Sequence, residues 1–175
     1  MVIRALSIGV VSRALEKEIK RHARAIQVGS VRALNKTAVS VRAAASKEIR
    51  GTLNVKAAFV KKSLRIKRAR RGALKSEISS IHQSIPLNQF SGVRPTKKGL
   101  SVKMRKDKAR KLFNGAFIYQ SVIFRRLSRS RLPIRPLYGP SVHAIFGERI
   151  ERLVAIGDPI LEKNLNREIA FALSK

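Results

Sequence analysis

The chain has 175 residues, a length that suits one domain and allows a sizeable core. An apolar content of 44% excludes global disorder, and the lack of cysteine excludes a disulfide framework and thiolate chemistry. With 39 Lys and Arg against 10 Asp and Glu, the net charge is +29, which repels itself and attracts polyanions or acidic surfaces.

The apolar start is interrupted by Arg4 and Arg13, so it lacks the hydrophobic stretch of a signal peptide. From residue 13 to about 49, Leu15, Ile19, Ile26, Ala33, Leu34, Ala38, Val41, Ala45 and Ile49 recur at amphipathic-helix spacing. Gly51 stands where helices favour a stop. At about 1.5 Å per residue this helix is roughly 55 Å long. A compact chain of this size has a diameter of only about 40 Å. Either the helix kinks at Gly29-Ser30 and folds on its own sheet, or one end projects and its apolar stripe needs a neighbouring subunit. In the second case Leu34 and Val41 are candidate interface residues.

Asn54 is placed to cap a short helix from Val55 to about Leu64, with Phe59 and Val60 as its buried side. The basic run Lys67-Arg68-Ala69-Arg70-Arg71 follows. Leu74–Ile78 reads as a strand, and Ile81–Phe90, broken by Pro86, as an irregular or edge strand. Gly92–Asp107 reads as a hairpin that turns at Lys97-Lys98-Gly99. Leu100, Val102 and Met104 form its apolar face, and Ser101, Lys103 and Arg105 its largely cationic one. Residues 51–112 hold 18 Lys and Arg against 2 Asp and Glu, a net of +16.

Ala116–Gln120 and Ser121–Phe124 are short, β-branched and aromatic, as strands are. Arg131–Ser141 contains Pro133 and Pro136, which cannot sit in a central strand or a helix interior. It reads as an extended, stiff connector anchored by Ile134, Leu137 and Tyr138, with Gly139-Pro140 as a turn and Ser141 as a helix cap. It is either a rigid loop docked on its own core or an assembly surface. A helix to about Val154 should follow, broken at Gly157. Asp158-Pro159 then starts the last helix, to about 173, with Ile160, Leu161, Leu165, Ile169 and Leu173 on one face.

The Leu137-Tyr-Gly-Pro-Ser141 run, set after a strand pair and before a helix, resembles the minor tail protein Z family of long-tailed phages and prophages. Ala33–Ala38, Val41–Ala43, Lys47–Arg50, Val55-Lys56, Ser63–Ala69, Ile85–Phe90 and Asn166–Ile169 resemble further segments of that family, so the likeness spans roughly residues 30 to 172. The resemblance implies tail completion at the head-proximal end of the virion tail, after assembly in the bacterial cytoplasm. It also implies a sixfold ring of this chain, with tail terminator or tail tube proteins and head-tail connector proteins as partners. The very high positive charge departs from what the family alone would suggest.

Catalysis is not expected. His22, His82 and His143 lack metal-ligand spacing. Gly139-Pro-Ser-Val-His143 lacks the final glycine of a nucleophile elbow. There is no phosphate-cradling glycine loop, and no cofactor is expected. No apolar run approaches the roughly 18 residues of a membrane span, so no membrane partner is expected and the setting is a reducing cytoplasm.

Two readings remain. One is a structural subunit of a phage tail, with Pro133, Ile134, Pro136, Leu137, Tyr138, Gly139 and Pro140 as assembly surface beside Leu34 and Val41. The other is a sequence-independent nucleic-acid-binding protein using the basic 51–112 region. For the charge, DNA in the tail channel, RNA and an acidic protein rim all fit, through Lys67, Arg68, Arg70, Arg71, Lys97, Lys98, Lys103 and Arg105. The tail reading favours the rim. The expected fold is a single α+β domain over 1–175: a long N-terminal helix and C-terminal helices packed on a mostly antiparallel β-sheet.

Overall fold

The computed structural model describes residues 2–174, with side chains from Leu15 onward. Helix α1 runs Val2–Thr52, 51 residues. No proline interrupts it, good helix formers fill it, and Arg50 in its last turn complements the helix dipole. At 1.5 Å per residue it is about 77 Å long. It outruns the expected 13–49 span at both ends, and Gly51 lies inside its final turn rather than beyond it.

The rest of the chain is α+β as expected. In order come α2 (Ala57–Ser63), β1 (Leu64–Lys67), β2 (Glu77–Ser80), β3 (Ser84–Pro86) and a 3-10 turn at Leu87–Gln89. Next are β4 (Val93–Thr96), β5 (Gly99–Val102), β6 (Lys111–Asn114), β7 (Ala116–Tyr119) and β8 (Val122–Arg126). Last are β9 (Ile134–Pro136), β10 (Tyr138–Ser141), α3 (Val142–Glu148) and α4 (Ile150–Leu173). The strands make four small sheets, β1-β2, β3-β10, β4-β5-β6 and β7-β8-β9. The last three pair antiparallel.

The chain divides into two compact units. The first takes α1 up to Ser40, Lys67–Glu77, and α4 from Gly157. Here α1 and α4 approach at Gly29, where a Cβ would sit 2.9 Å from the Glu168 carbonyl oxygen and 3.0 Å from Ile169 Cα. Gly29 thus permits a close helix crossing, and α1 passes through Gly29-Ser30 as unbroken helix instead of kinking there. Ala33 and Ala38 are buried beside it, as is Thr37, which accepts a hydrogen bond from Asn164 Nδ2 at 3.0 Å. Asn35 holds both backbone polar groups of Ala69, at 3.1 and 2.9 Å, and Gln27 Nε2 donates to the Arg71 carbonyl at 2.7 Å. These bonds tie the basic 67–71 loop to α1.

The second unit comprises 41–66 and 78–156. Its core joins Ala45, Ile49 and Leu53 to Val60, Leu64, Ile85, Leu87, Phe90, Leu100, Val102, Ile123, Val142, Ile145 and Leu153. The β4–β5 hairpin turns at Lys97-Lys98 as expected, and its apolar face is the buried one: Leu100 and Val102 are core, with Met104 packed against it. The β7–β8 hairpin turns on Gln120 (φ 45°) and Ser121 (φ 63°), the paired left-handed residues of a tight hairpin turn. Asn88 Nδ2 clamps that turn through the Ser121 carbonyl at 2.6 Å.

Four local readings are corrected. Asn54 does not cap α2, whose N-cap is Lys56 without a side-chain bond; its Nδ2 donates instead to the Lys103 carbonyl at 3.2 Å. The proline segment is two short strands rather than a connector. β9 lies at the edge of the β7-β8-β9 sheet, where a missing N–H is tolerated, and Gly139-Pro140 belongs to β10 rather than to a turn. The strand expected at 74–78 lies instead at β2, Glu77–Ser80. Gly157-Asp158-Pro159 does not break the last helix: α4 carries Pro159 inside it, losing one backbone bond while the turns on either side keep theirs. The expected cap at Ser141 is present, accepting from the Ala144 N–H at 3.1 Å.

Candidate polyanion groove and assembly surfaces

An open groove in the second unit gathers five cations from a hairpin turn and from the end of a strand. Lys97 and Lys98 enter from the β4–β5 turn, and Arg125, Arg126 and Arg129 from the end of β8 and the loop after it. Two left-handed glycines bring these segments together. Gly99 has φ 143°, and a Cβ there would lie 2.2 Å from the Phe113 carbonyl oxygen, so only glycine fits. Gly115 has φ 66°, and its N–H donates to the Lys98 carbonyl at 3.0 Å. The Arg126 guanidinium lies 5.6 Å over the Phe117 ring, which orients it. No Asp or Glu lines the groove, and among the described residues none of the five cations forms an ion pair.

Of the predicted polyanion contacts, only Lys97 and Lys98 reach this groove. Lys103 and Arg105 are half-buried elsewhere; Arg105 donates to Asp107 at 3.2 Å and bridges Leu53. Arg110 is structural, reaching the Gly92 carbonyl, the Ser101 hydroxyl and the Ser101 carbonyl across the sheet. Lys67, Arg68, Arg70 and Arg71 are exposed in the first unit, where Arg68 lines a second groove with Lys36, Lys163 and Arg167. That second groove is partly neutralised, because Glu168 engages both Lys36 and Arg167.

Glu168 is buried, an outcome that helical periodicity alone did not single out. The hydrogen bond from Lys36 holds its carboxyl below the ordinary value of 4.5; burial opposes this, and the charges of Lys36, Arg167 and Arg32 add to it. A carboxylate depressed in the folded state contributes stability that is present above its unfolded pKa. That contribution is lost as pH falls through the folded pKa. Lys36→Met should therefore lower the melting temperature at pH 7, and the gap from the native chain should narrow as the pH is taken down through the acid range below 4.5, as a series of thermal melts will show.

Among the predicted interface residues, Val41 and Leu137 pack against the protein's own core, and Leu34 and Ile134 are half-buried. Pro133 and Pro136 are exposed, Tyr138 is 53% exposed, and Gly139 and Pro140 are half-buried in β10. A Cβ on Gly139 would meet the Phe90 ring at 2.7 Å, so this glycine serves core packing. The exposed part of the α1 stripe lies nearer its start: Leu15 and Ile19 are each 60% exposed and Ile26 45%.

Two histidines far apart in sequence meet in the second unit. The rings of His82 and His143 lie 3.5 Å apart, and Ser80 Oγ is 2.8 Å from His143 Nδ1. Among the described residues no group of three or more His, Cys, Asp or Glu could hold a metal ion, and no helix is long and apolar enough to cross a membrane. Ser141, in the elbow-like run, is occupied as a helix cap.

The chain thus combines helices and small sheets with an overlong helix that carries exposed apolar residues and with a cationic groove. The chain belongs to the prophage minor tail protein Z family, whose model matches residues 11–175. It is thus a phage tail structural protein and a virion component. No curated protein and no solved structure matches it.

Proposed function

We propose that this chain completes the phage tail: copies close into a ring at the head-proximal end, finish the tail tube and present the surface that joins the head. The observation that carries this reading is the uncovered apolar stripe of α1. Leu15 and Ile19 are more than half exposed on a helix about 77 Å long, and apolar side chains so placed gain from burial against a second chain. The family resemblance supports six copies, matching a sixfold tail, with tail terminator or tail tube proteins on one side and head-tail connector proteins on the other. Tyr138, Pro133 and Pro136 supply a stiff, exposed element on the β9–β10 segment, which loses little entropy on docking.

The test is complementation of a phage lacking this gene with the Leu15→Asp/Ile19→Asp protein. Both positions are exposed, so the purified chain should keep its stability to within about 0.5 kcal/mol. An aspartate pair placed in an apolar contact should weaken association by about 3 kcal/mol or more, over 100-fold per contact. Infectious titre should fall, and unjoined heads and tails should accumulate. Normal titre with normal joining would exclude the α1 stripe from assembly and remove the basis of this reading.

A further inference from the structure

We propose that the groove between the β4–β5 turn and the end of β8 binds the phosphate backbone of duplex DNA. Lys97, Lys98, Arg125, Arg126 and Arg129 surround one open groove with no carboxylate in its lining and no ion pair among them. Five uncompensated cations held together raise the local potential and are relieved by an anion that brings several charges at once.

The chemistry selects among polyanions. Contact surfaces between proteins are poor in Lys and Ser and rich in aromatic, Met and Arg side chains. The three Arg of this groove suit either partner, but Lys97, Lys98 and Ser128 are types that protein contacts avoid and that, with Thr96, contact phosphate. Single strands need aromatic faces on which bases stack. The one aromatic side chain in the lining, Phe117, already lies beneath the Arg126 guanidinium. A cationic track without a stacking platform suits a regular double-helical backbone and reads no sequence. This shifts the balance from an acidic protein rim toward DNA. The inference stands apart from the tail-completion reading, because it is tested on the purified chain.

The experiment measures binding of the full chain to a 30-base-pair duplex by fluorescence anisotropy between 50 and 200 mM salt. Neutralising five phosphates gives a log–log slope of about −4.5, a loss of about 500-fold in affinity across that range. Replacing all five groove cations with Gln should flatten the slope by about 4.5. Because Arg125 and Arg126 lie in β8, the triple variant Lys97→Gln/Lys98→Gln/Arg129→Gln, confined to turn and loop, is measured alongside and should flatten it by about 2.7. A control with Lys56, Lys61, Lys62, Arg65 and Lys108 changed to Gln removes the same charge outside the groove and should leave most of the slope intact. Equal losses from groove and control variants would overturn the proposal in favour of diffuse attraction. Competition by poly-glutamate, charge for charge as effective as the duplex, would overturn it in favour of an acidic protein. Tighter binding of single-stranded DNA would overturn the duplex assignment.

Discussion

Gly139→Ala should lower the melting temperature of this protein, and Phe90→Ala should lower it further. A Cβ on Gly139 would lie 2.7 and 2.8 Å from two atoms of the Phe90 ring and 3.2 Å from Met104 Sδ. Phe90 is 2% exposed and belongs to the core of the second unit, so the ring has little room to yield. Overpacking of this kind costs about 1–3 kcal/mol. Removing a buried Phe costs about 3–5 kcal/mol. For a chain of this size each kcal/mol moves the midpoint by about 2–4 °C. The double variant Gly139→Ala/Phe90→Leu should cost less than the sum of its parts, because the smaller side chain vacates the space that the new methyl needs. Melts of the single and double variants check this. Strict additivity would mean that Gly139 serves something other than the Phe90 contact. The Leu-Tyr-Gly-Pro-Ser run thereby acquires a physical reason: its glycine lets β10 lie against Phe90.

Gly29→Val should part α1 from α4 in the first unit. The atoms a side chain would meet are backbone, the Glu168 carbonyl oxygen at 2.9 Å and Ile169 Cα at 3.0 Å, and backbone cannot rotate away as a side chain can. The helices must separate, which strains the Thr37–Asn164 bond at 3.0 Å and the Lys36–Glu168 pair, and leaves a buried carboxylate poorly partnered. The cost should reach the upper end of overpacking, about 3 kcal/mol. Hydrogen exchange is the measurement that isolates it. Amides of Asn164–Leu173 should lose protection, while those of the core strand β5 in the second unit keep theirs. Undiminished protection in α4 would show that the helix crossing tolerates a larger residue.

Much of the fold was legible locally. The 3.6-residue recurrence from Leu15 to Ile49 identified α1, although the helix begins at Val2 rather than at residue 13. Lys97-Lys98-Gly99 between alternating residues identified the β4–β5 hairpin, and Ser141 its helix cap. Gly157-Asp158-Pro159 misled for an instructive reason. A proline removes only one hydrogen bond from a helix, so the same residues that start one helix can lie inside another. Asn54 misled similarly, because a residue that can cap can also bond a distant carbonyl, here that of Lys103.

The candidate site was legible by half. Lys97 and Lys98 stood out as a basic turn, but their partners Arg125, Arg126 and Arg129 lie nearly thirty residues on, and nothing in local spacing joins them. Strict alternation promised a single cationic face holding Lys103 and Arg105. The strand β5 ends at Val102, so alternation no longer governs the residues beyond it.

The sequence by itself determined the charge, the long helix, the α+β class, the exclusion of the proline segment from any central strand and, through Leu137–Ser141, the family. Those properties depend on composition or on neighbours within a few residues, where backbone sterics, capping and periodicity act. Only the tertiary structure decided that Gly29 is a helix contact rather than a kink, that Glu168 is a buried partner of Lys36, and that Leu137 faces the protein's own core while Tyr138 faces outward. It also decided which five of the 39 Lys and Arg share a groove. Each of these depends on which distant segments pack together, and packing is set by the whole chain's balance of burial and chain entropy rather than by any local run of residues.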